Sequence, residues 1–580
     1  MIRSSRRPLV GWMLAALVAA SCTEGSGASP GAPAGSPTLA AMADALGADV
    51  VEHLARGYVP ERSGEIVLVP EPWTVVGQWN RGLRGARDPR TTHATPWSYH
   101  VRVPIVLWGP GFVHSGVRSD RSVNVADLAP TFAELLGLDW TAPDGRPLRE
   151  ALVPPGRRAA PPAAIVLVAF DGAGWNVLDR WRRAWPTQRR LANRGTAYLN
   201  ATVGSSPSVT APVHANMGTG TYPRTHGLSE NTVRMPDGSI GEIYFGEADP
   251  RLLASETVAD AWDRSNGNRP WVGMVGFESW HLGMMGAGAR APGGDRDAAV
   301  LWEREEFRYW ANERFYRLPP YLPDTDDLFR RVHQLDRSDG AADGTWLGNR
   351  LGPDDTFEIP GTPAFVRHVT DTVAEILRRE PVGHDDLTDL LFVEYKSSDY
   401  GGHLWNMLSA EVGAVVAAQD RALDRLVRLL DRRVGRGRYV LALTSDHGQT
   451  PIPETRGGVR VDRFELERDL RRAFGTDVVE SVHPSEIYVD MGAVRRNRIS
   501  VKDVARWVAD YRYRDGVPEG ADLSGVPRQV LDRRVFAAAL PGAYLASLRP
   551  SQIEALGASA YAEGDLRTPP PVGQLLEIED

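Results

Sequence analysis

The chain has 580 residues, 42% of them hydrophobic, enough apolar material for a large core in about three or four domains or in one elaborated one. Its formal net charge of -8 is mild for that length and argues against a nucleic-acid binder, which would carry a basic excess or stripe. Cys22 is the only cysteine, so an intrachain disulfide is excluded, and an exported form would be held by its core and by metal.

Residues 1–22, MIRSSRRPLVGWMLAALVAASC, have a basic start, an apolar stretch and small residues before Cys22. They read as a signal peptide of the lipoprotein type, too short to span a bilayer, with Cys22 at the position that becomes lipidated. Ser5-Arg6-Arg7 also resembles a twin-arginine export signal. The Gly/Ala/Ser/Pro-rich residues 23–38 form a flexible tether. The expected location is therefore the cell envelope, outside the cytoplasmic membrane, with a lipid anchor as the only membrane contact.

Beyond the tether, apolar runs alternate with helical patterns. EIVLV (65–69), VPIVLW (103–108), AAIVLVAF (163–170), WVGMVGF (271–277), DLLFVEY (389–395) and YVLALTS (439–445) read as strands. Residues 127–138 and 409–433 carry amphipathic helical periodicity. Near-continuous apolar strands between such helices predict an α/β fold: a doubly wound, mostly parallel central sheet flanked by helices. Ligands in such folds sit at the carboxyl ends of the strands.

Those ends carry chemistry. AAIVLVAF delivers Asp171; DLLFVEY is followed by Asp399, with His403 four residues on; YVLALTS delivers Asp446 and His447. Each aspartate alone reads as a helix cap or turn residue. Together, three carboxylates and two imidazoles suit zinc and exceed what one tetrahedral ion needs. A further histidine, His93 in TTHATP, precedes the VPIVLW strand; by itself it reads as a hydrogen-bonded loop residue.

The stretch VTAPVHANMGTGTYPRTHGLSEN (209–231) resembles the nucleophile segment of the alkaline phosphatase superfamily, in its type I phosphodiesterase/nucleotide pyrophosphatase branch. The DG, DxxGH-like and SDHG pieces around Asp171, Asp399 and Asp446 follow in the family's order. The resemblance makes Thr210 the attacking group and Asn231 a holder of a phosphoryl oxygen. It implies two Zn2+ ions, one held by Asp171, Asp446 and His447, the other by Asp399, His403 and His93. His214 and His226, inside the motif, read as packing or hydrogen-bonding residues, and Gly218 and Gly220 as close-packing positions.

The segment that resembles the family's carboxyl-terminal portion, residues 39–153 with His93 in it, stands at the front of this chain. The resemblance therefore implies a circular permutation. Residues 39–153 would be joined through a Pro-rich link (154–162) to the remainder of the same catalytic domain (163–580), with a cap inserted at about 281–360. The aromatic and charged stretch 301–329 is expected in that cap. His483 lacks the surroundings of the family's last histidine and is the alternative should His93 lie elsewhere.

The implied function is hydrolysis of a small-molecule phosphate ester through a phosphothreonine intermediate. A diester is favoured because Glu278 and Trp280 stand where monoesterase relatives carry a lysine and an arginine. The alternatives are a phosphomonoesterase or phosphoethanolamine-type transferase on the same site, and a lipid-tethered binding protein without activity. A sulfatase is disfavoured, because position 210 is threonine and position 214 is histidine.

Overall fold

Ala164–Phe170, AIVLVAF, is buried at every position and lies near the middle of the molecule's largest sheet. The structure, a computed structural model, describes residues 37–77, 91–158, 160–351, 358–517, 526–562 and 572–578. The signal peptide, Cys22 and most of the tether lie outside the described residues.

In chain order the strands of the two main sheets are β1 (Ile66–Pro70), β2 (Ile105–Trp108), β3 (Val117–Asn124), β4 (Ala164–Phe170), β5 (Thr196–Thr202), β6 (Val272–Val275), β7 (Ala298–Glu303), β8 (Arg308–Trp310), β9 (Asp389–Tyr395), β10 (Tyr439–Thr444), β11 (Val479–Val482), β12 (Glu486–Val489) and β13 (Phe536–Pro541). Nine of them form the central sheet in the order β8-β7-β6-β9-β4-β10-β2-β5-β3. The run from β7 through β6, β9 and β4 to β10 is parallel throughout. Next to it, β2 runs antiparallel to both β10 and β5. The fold is thus an α/β sheet, mostly parallel.

Strand alternation divides the core in two. Ile165, Leu167 and Ala169 of β4 point into one cluster with Leu390 and Phe392, covered by the helices α1 (Leu128–Leu136) and α2 (Thr210–Thr219). Val166, Val168 and Phe170 point into the other with Leu391 and Val393, covered by α3 (Pro363–Arg379) and α5 (Ala410–Leu430); α4 (Ser397–Trp405) lies between these two helices in the chain. Burial on both faces is why these strands have no polar side.

Two expectations are revised. EIVLV forms β1 of a separate four-stranded antiparallel sheet, β11-β12-β1-β13, rather than a strand of the central one. A five-residue run buried on both faces has the same sequence in either sheet, so its pattern could not distinguish them. Within the stretch expected as a cap, β7 and β8 extend the central sheet, because AAVLW is a buried apolar run that pairs with β6.

The front of the chain is woven into this body. β1 pairs with β12 and β13 from the far end. Ala48 N donates to Gly557 O at 3.2 Å, and Ala560 N donates to Ala45 O at 2.8 Å.

Candidate active site

Parallel order brings the carboxyl ends of β9, β4 and β10 side by side. Phe170 is followed by Asp171 and then Gly172, whose φ of +68° is left-handed and whose added Cβ would lie 2.9 Å from Asp399 Cα. Only glycine allows that turn and that approach. After β9, α4 carries Asp399 and His403 one turn apart on one face. After β10 come Asp446 and His447. Because β2 is antiparallel, it is the segment before it that reaches this end of the sheet, and that segment carries His93. β5 leads the chain back to the same end, where Thr210 opens α2.

Two of the donor groups that result match the expected ligand sets, and a third, Asp171 with His214 and His281, shares Asp171. His447 Nε2 lies 3.3 Å from Asp171 Oδ1 and 3.3 Å from Asp446 Oδ2. His403 Nε2 and His93 Nε2 lie 3.2 Å and 3.7 Å from Asp399 Oδ1. Within each group the ligand atoms are all within 4.8 Å of one another. The groups share a wall: the His93 and His447 rings stack with centroids 3.6 Å apart.

Each of the three imidazoles is set by its other nitrogen. His93 Nδ1 donates to Ser208 O at 2.8 Å, His403 Nδ1 to Thr91 O at 2.7 Å and His447 Nδ1 to Gly448 O at 3.0 Å. A carbonyl only accepts, so each Nδ1 keeps its hydrogen and each Nε2 faces the carboxylates, where a metal would take the place of a proton, as in metal-binding histidines.

The residues fit a pair of divalent ions. Asp171 Oδ1, Asp399 Oδ1, Asp446 Oδ2 and His447 Nε2 are buried without a hydrogen-bond partner among the described residues. Burying such atoms unpaired is costly, and a cation in each group removes the cost. The electrostatics agree. Burial and the neighbouring Asp171 charge push the Asp446 carboxyl up to about 7. Burial opposes charge on His447, but Asp446 and Asp171 outweigh it and push the imidazole up to about 9.

Thr210 is buried beside these groups, and its Oγ1 is 3.3 Å from Lys396 Nζ. Asn231 Oδ1 accepts from Ala211 N at 2.9 Å, which fixes the amide and leaves its NH2 as a donor. A cavity of about 300 Å³ is lined by His93, Thr210, Asn231, Asp399 and His403 together with Glu230, Glu278, Trp280 and Arg304.

Sequence reasoning passed over several residues here. Lys396 Nζ lies 2.8 Å from both Asp171 Oδ2 and Asp399 Oδ2. Burial alone would lower its pKa, but those two carboxylates raise it well above the usual lysine value. Arg304 Nη1 donates to Tyr400 Oη at 2.8 Å, and Tyr400 Oη donates to Glu278 Oε1 at 3.3 Å. His281 Nε2 lies 3.3 Å from Asp171 Oδ2. His214, read as a packing residue, donates Nδ1 to Thr210 O at 2.9 Å and lies 3.7 Å from Asp446 Oδ2. His226 bonds Asn216 Oδ1 at 2.9 Å, away from the donor groups. Gly218 packs closely, since a Cβ there would meet Gly283 O at 2.2 Å. His483 belongs to neither group; its ring lies against Tyr488.

A family model described as type I phosphodiesterase / nucleotide pyrophosphatase matches residues 165–539. Alkaline phosphatase PafA of Elizabethkingia meningoseptica is 22% identical over 399 residues, 60% of this chain and 72% of that protein. A protein of Myroides odoratus named calcium-transporting ATPase is 23% identical over 440 residues, 65% of this chain and 78% of that one. Among solved structures, wild-type PafA is similar with a TM-score of 0.48 at 19% identity, covering 65% of this chain and 84% of that one. Murine ectonucleotide pyrophosphatase / phosphodiesterase 5 is similar with a TM-score of 0.33 at 16% identity, covering 65% and 78%.

Proposed function

The chain belongs to the type I phosphodiesterase / nucleotide pyrophosphatase family, phosphoric ester hydrolases of the alkaline phosphatase superfamily, and from that premise we propose that it is a zinc-dependent phosphodiesterase acting through Thr210. The observation that carries the reading is the convergence of unpartnered carboxylate and imidazole atoms beside the Thr210 hydroxyl, at the wall of a cavity of about 300 Å³.

One ion would be held by Asp171, Asp446 and His447 and the other by Asp399, His403 and His93. When bound, such ions stabilise alkoxide and hydroxide at neutral pH and the charge on a transferring phosphoryl group. The protein does the rest. Thr210 Oγ1 attacks phosphorus and the ester oxygen departs; water then attacks the phosphothreonine and releases Thr210. Asn231 presents its NH2 to a phosphoryl oxygen, and the amino-terminal end of α2 favours the negative charge there.

A diester is preferred because the Glu278 carboxylate lines the cavity. Three aspartates and a threonine alkoxide against two divalent ions leave a formal charge near zero; Lys396 adds one positive charge, while Glu278 and Arg304, 3.9 Å apart, offset each other. Monoester hydrolysis is the second reading, favoured by Lys396 and Arg304 lining the same cavity. A panel of chromogenic mono- and diesters with one leaving group, with metal content measured on the same sample, decides between them.

The circular permutation is proposed on the same footing. His93 approaches Asp399 from a segment that precedes the family match, and residues 45–48 lie against 557–560, where the chain would have been reopened. Export with a lipid anchor on Cys22 rests on residues 1–22 alone; among the described residues no helix is long and apolar enough to cross a membrane.

A further inference from the structure

Lys396 is the last residue before α4, and its side chain is 3% exposed. Its Nζ makes three close contacts: 2.8 Å to Asp171 Oδ2, 2.8 Å to Asp399 Oδ2 and 3.3 Å to Thr210 Oγ1. An ammonium has three N–H donors and no acceptor; it hydrogen-bonds Asp171 Oδ2 and Thr210 Oγ1 and meets Asp399 Oδ2 as an ion pair. The two carboxylate oxygens it takes are not the ones that face His447, His403 and His93; Asp171 Oδ2 is shared with His281. Asp171 turns Oδ1 toward His447, and Asp399 turns Oδ1 toward His403 and His93. Lys396 therefore leaves both donor groups intact while tying them together. A lysine serving only to neutralise Asp171 and Asp399 would need no third partner, yet the third is the hydroxyl proposed to react.

We propose that Lys396 is a catalytic residue that stabilises negative charge on Thr210 Oγ1, and that its main effect falls on the step in which the phosphothreonine is hydrolysed. The proposal rests on the reading of Thr210 as the nucleophile. In the first step the Oγ1–P bond forms, the bond from phosphorus to the ester oxygen breaks with its electron pair, and the hydroxyl proton ends on the released alcohol. Here Oγ1 loses charge, so an adjacent ammonium raises the population of the alkoxide but lowers its drive to attack; the two effects oppose each other. In the second step a water oxygen bonds to phosphorus, the P–Oγ1 bond breaks, and the electron pair returns to Oγ1. One proton of the water restores the hydroxyl and the other leaves with the released phosphate monoester or solvent. Charge now develops on Oγ1 against a preorganised donor in a buried site, where such donors act most strongly. Removing one donor of this kind typically costs about 10²–10³ in kcat.

The test uses the full-length, metal-loaded protein and its Lys396→Met and Lys396→Gln variants. Gln retains N–H donors for Asp171 and Asp399 without the charge, so it carries the test if Met at 396 does not fold. Three quantities are read: the fraction of Thr210 phosphorylated in the steady state, by acid quench and peptide mass spectrometry; kcat and KM; and metal content. The expected result is a rise in phosphorylated Thr210, a fall in kcat of about 10²-fold with KM falling alongside, and a change in kcat/KM below about tenfold. Metal content should match wild type. The proposal is overturned if the phosphorylated fraction stays level or falls at full metal content. It is overturned equally if the variants lose metal, since Lys396 would then only position ligands. Active protein that never phosphorylates Thr210, in wild type or variant, would instead sink the nucleophile reading and this proposal with it.

Discussion

His93 Nε2 lies 3.7 Å from Asp399 Oδ1, the oxygen that His403 Nε2 approaches to 3.2 Å. A residue from the front of the chain thus completes a donor group whose other members lie on α4. His93→Ala should remove one of two bound metal equivalents and leave the one assigned to Asp171, Asp446 and His447. Elemental analysis of the purified variant checks this. Retention of both equivalents would remove His93 from the ligand set.

Thr210→Ala removes the hydroxyl but none of the six histidine and aspartate ligands. Metal content should stay at the wild-type level while turnover falls by about 10³-fold or more. Side-by-side metal analysis and diester assay suffice, and near wild-type turnover in a preparation free of contaminating phosphatase would contradict the assignment.

Much of this site was legible in the sequence, for a physical reason. A parallel strand buried on both faces ends where its apolar run ends, so Asp171, Asp399, Asp446 and His447 could be placed at one edge of a sheet before any geometry was known. The other residues depended on different signals. His93 was singled out only through resemblance, because nothing local distinguishes a ligand histidine from a loop histidine. Lys396 gave no signal: a lysine in the turn before a helix reads as solvated, and only the approach of Asp171 from β4 and Thr210 from α2 makes it a buried bridge. Arg304 was hidden differently. It follows β7 in a stretch whose aromatic and charged residues suggested a cap, although AAVLW within it has the apolar pattern of a strand.

Glu278 lines the cavity with one carboxylate oxygen buried and unpartnered. Its charge opposes a second negative charge on the phosphoryl group. Glu278→Gln should therefore raise kcat/KM for a monoester relative to the matching diester, by about tenfold, the scale of one charge interaction in a partly screened site. The ratio of the two specificity constants is the measurement. An unchanged ratio would mean that Glu278 does not set the preference.

Glu486 gives the stability of the fold a pH dependence of definite sign. Burial, reinforced by the nearby Glu230 charge, pushes its carboxyl up to about 8 in the folded protein, from its ordinary value of 4.5. One oxygen accepts from Gly64 N at 2.8 Å and the other is in contact with the Tyr488 hydroxyl, so the group joins β12 to the turn before β1. Below about pH 4.5 both folded and unfolded chains hold the proton, and the contribution of the neutral group is complete. Between that value and about 8 the unfolded chain releases its proton while the folded chain keeps it. The unfolded state then binds fewer protons, so this contribution declines as pH rises and is lost once pH passes the folded value. Metal ligands titrate in the opposite sense at low pH, so the comparison must be a difference. The Tm of the wild type minus that of Glu486→Gln should fall steadily from about pH 5 to about pH 9 at saturating metal. A difference that is flat, or that grows with pH, would show that Glu486 is ionised in the folded protein.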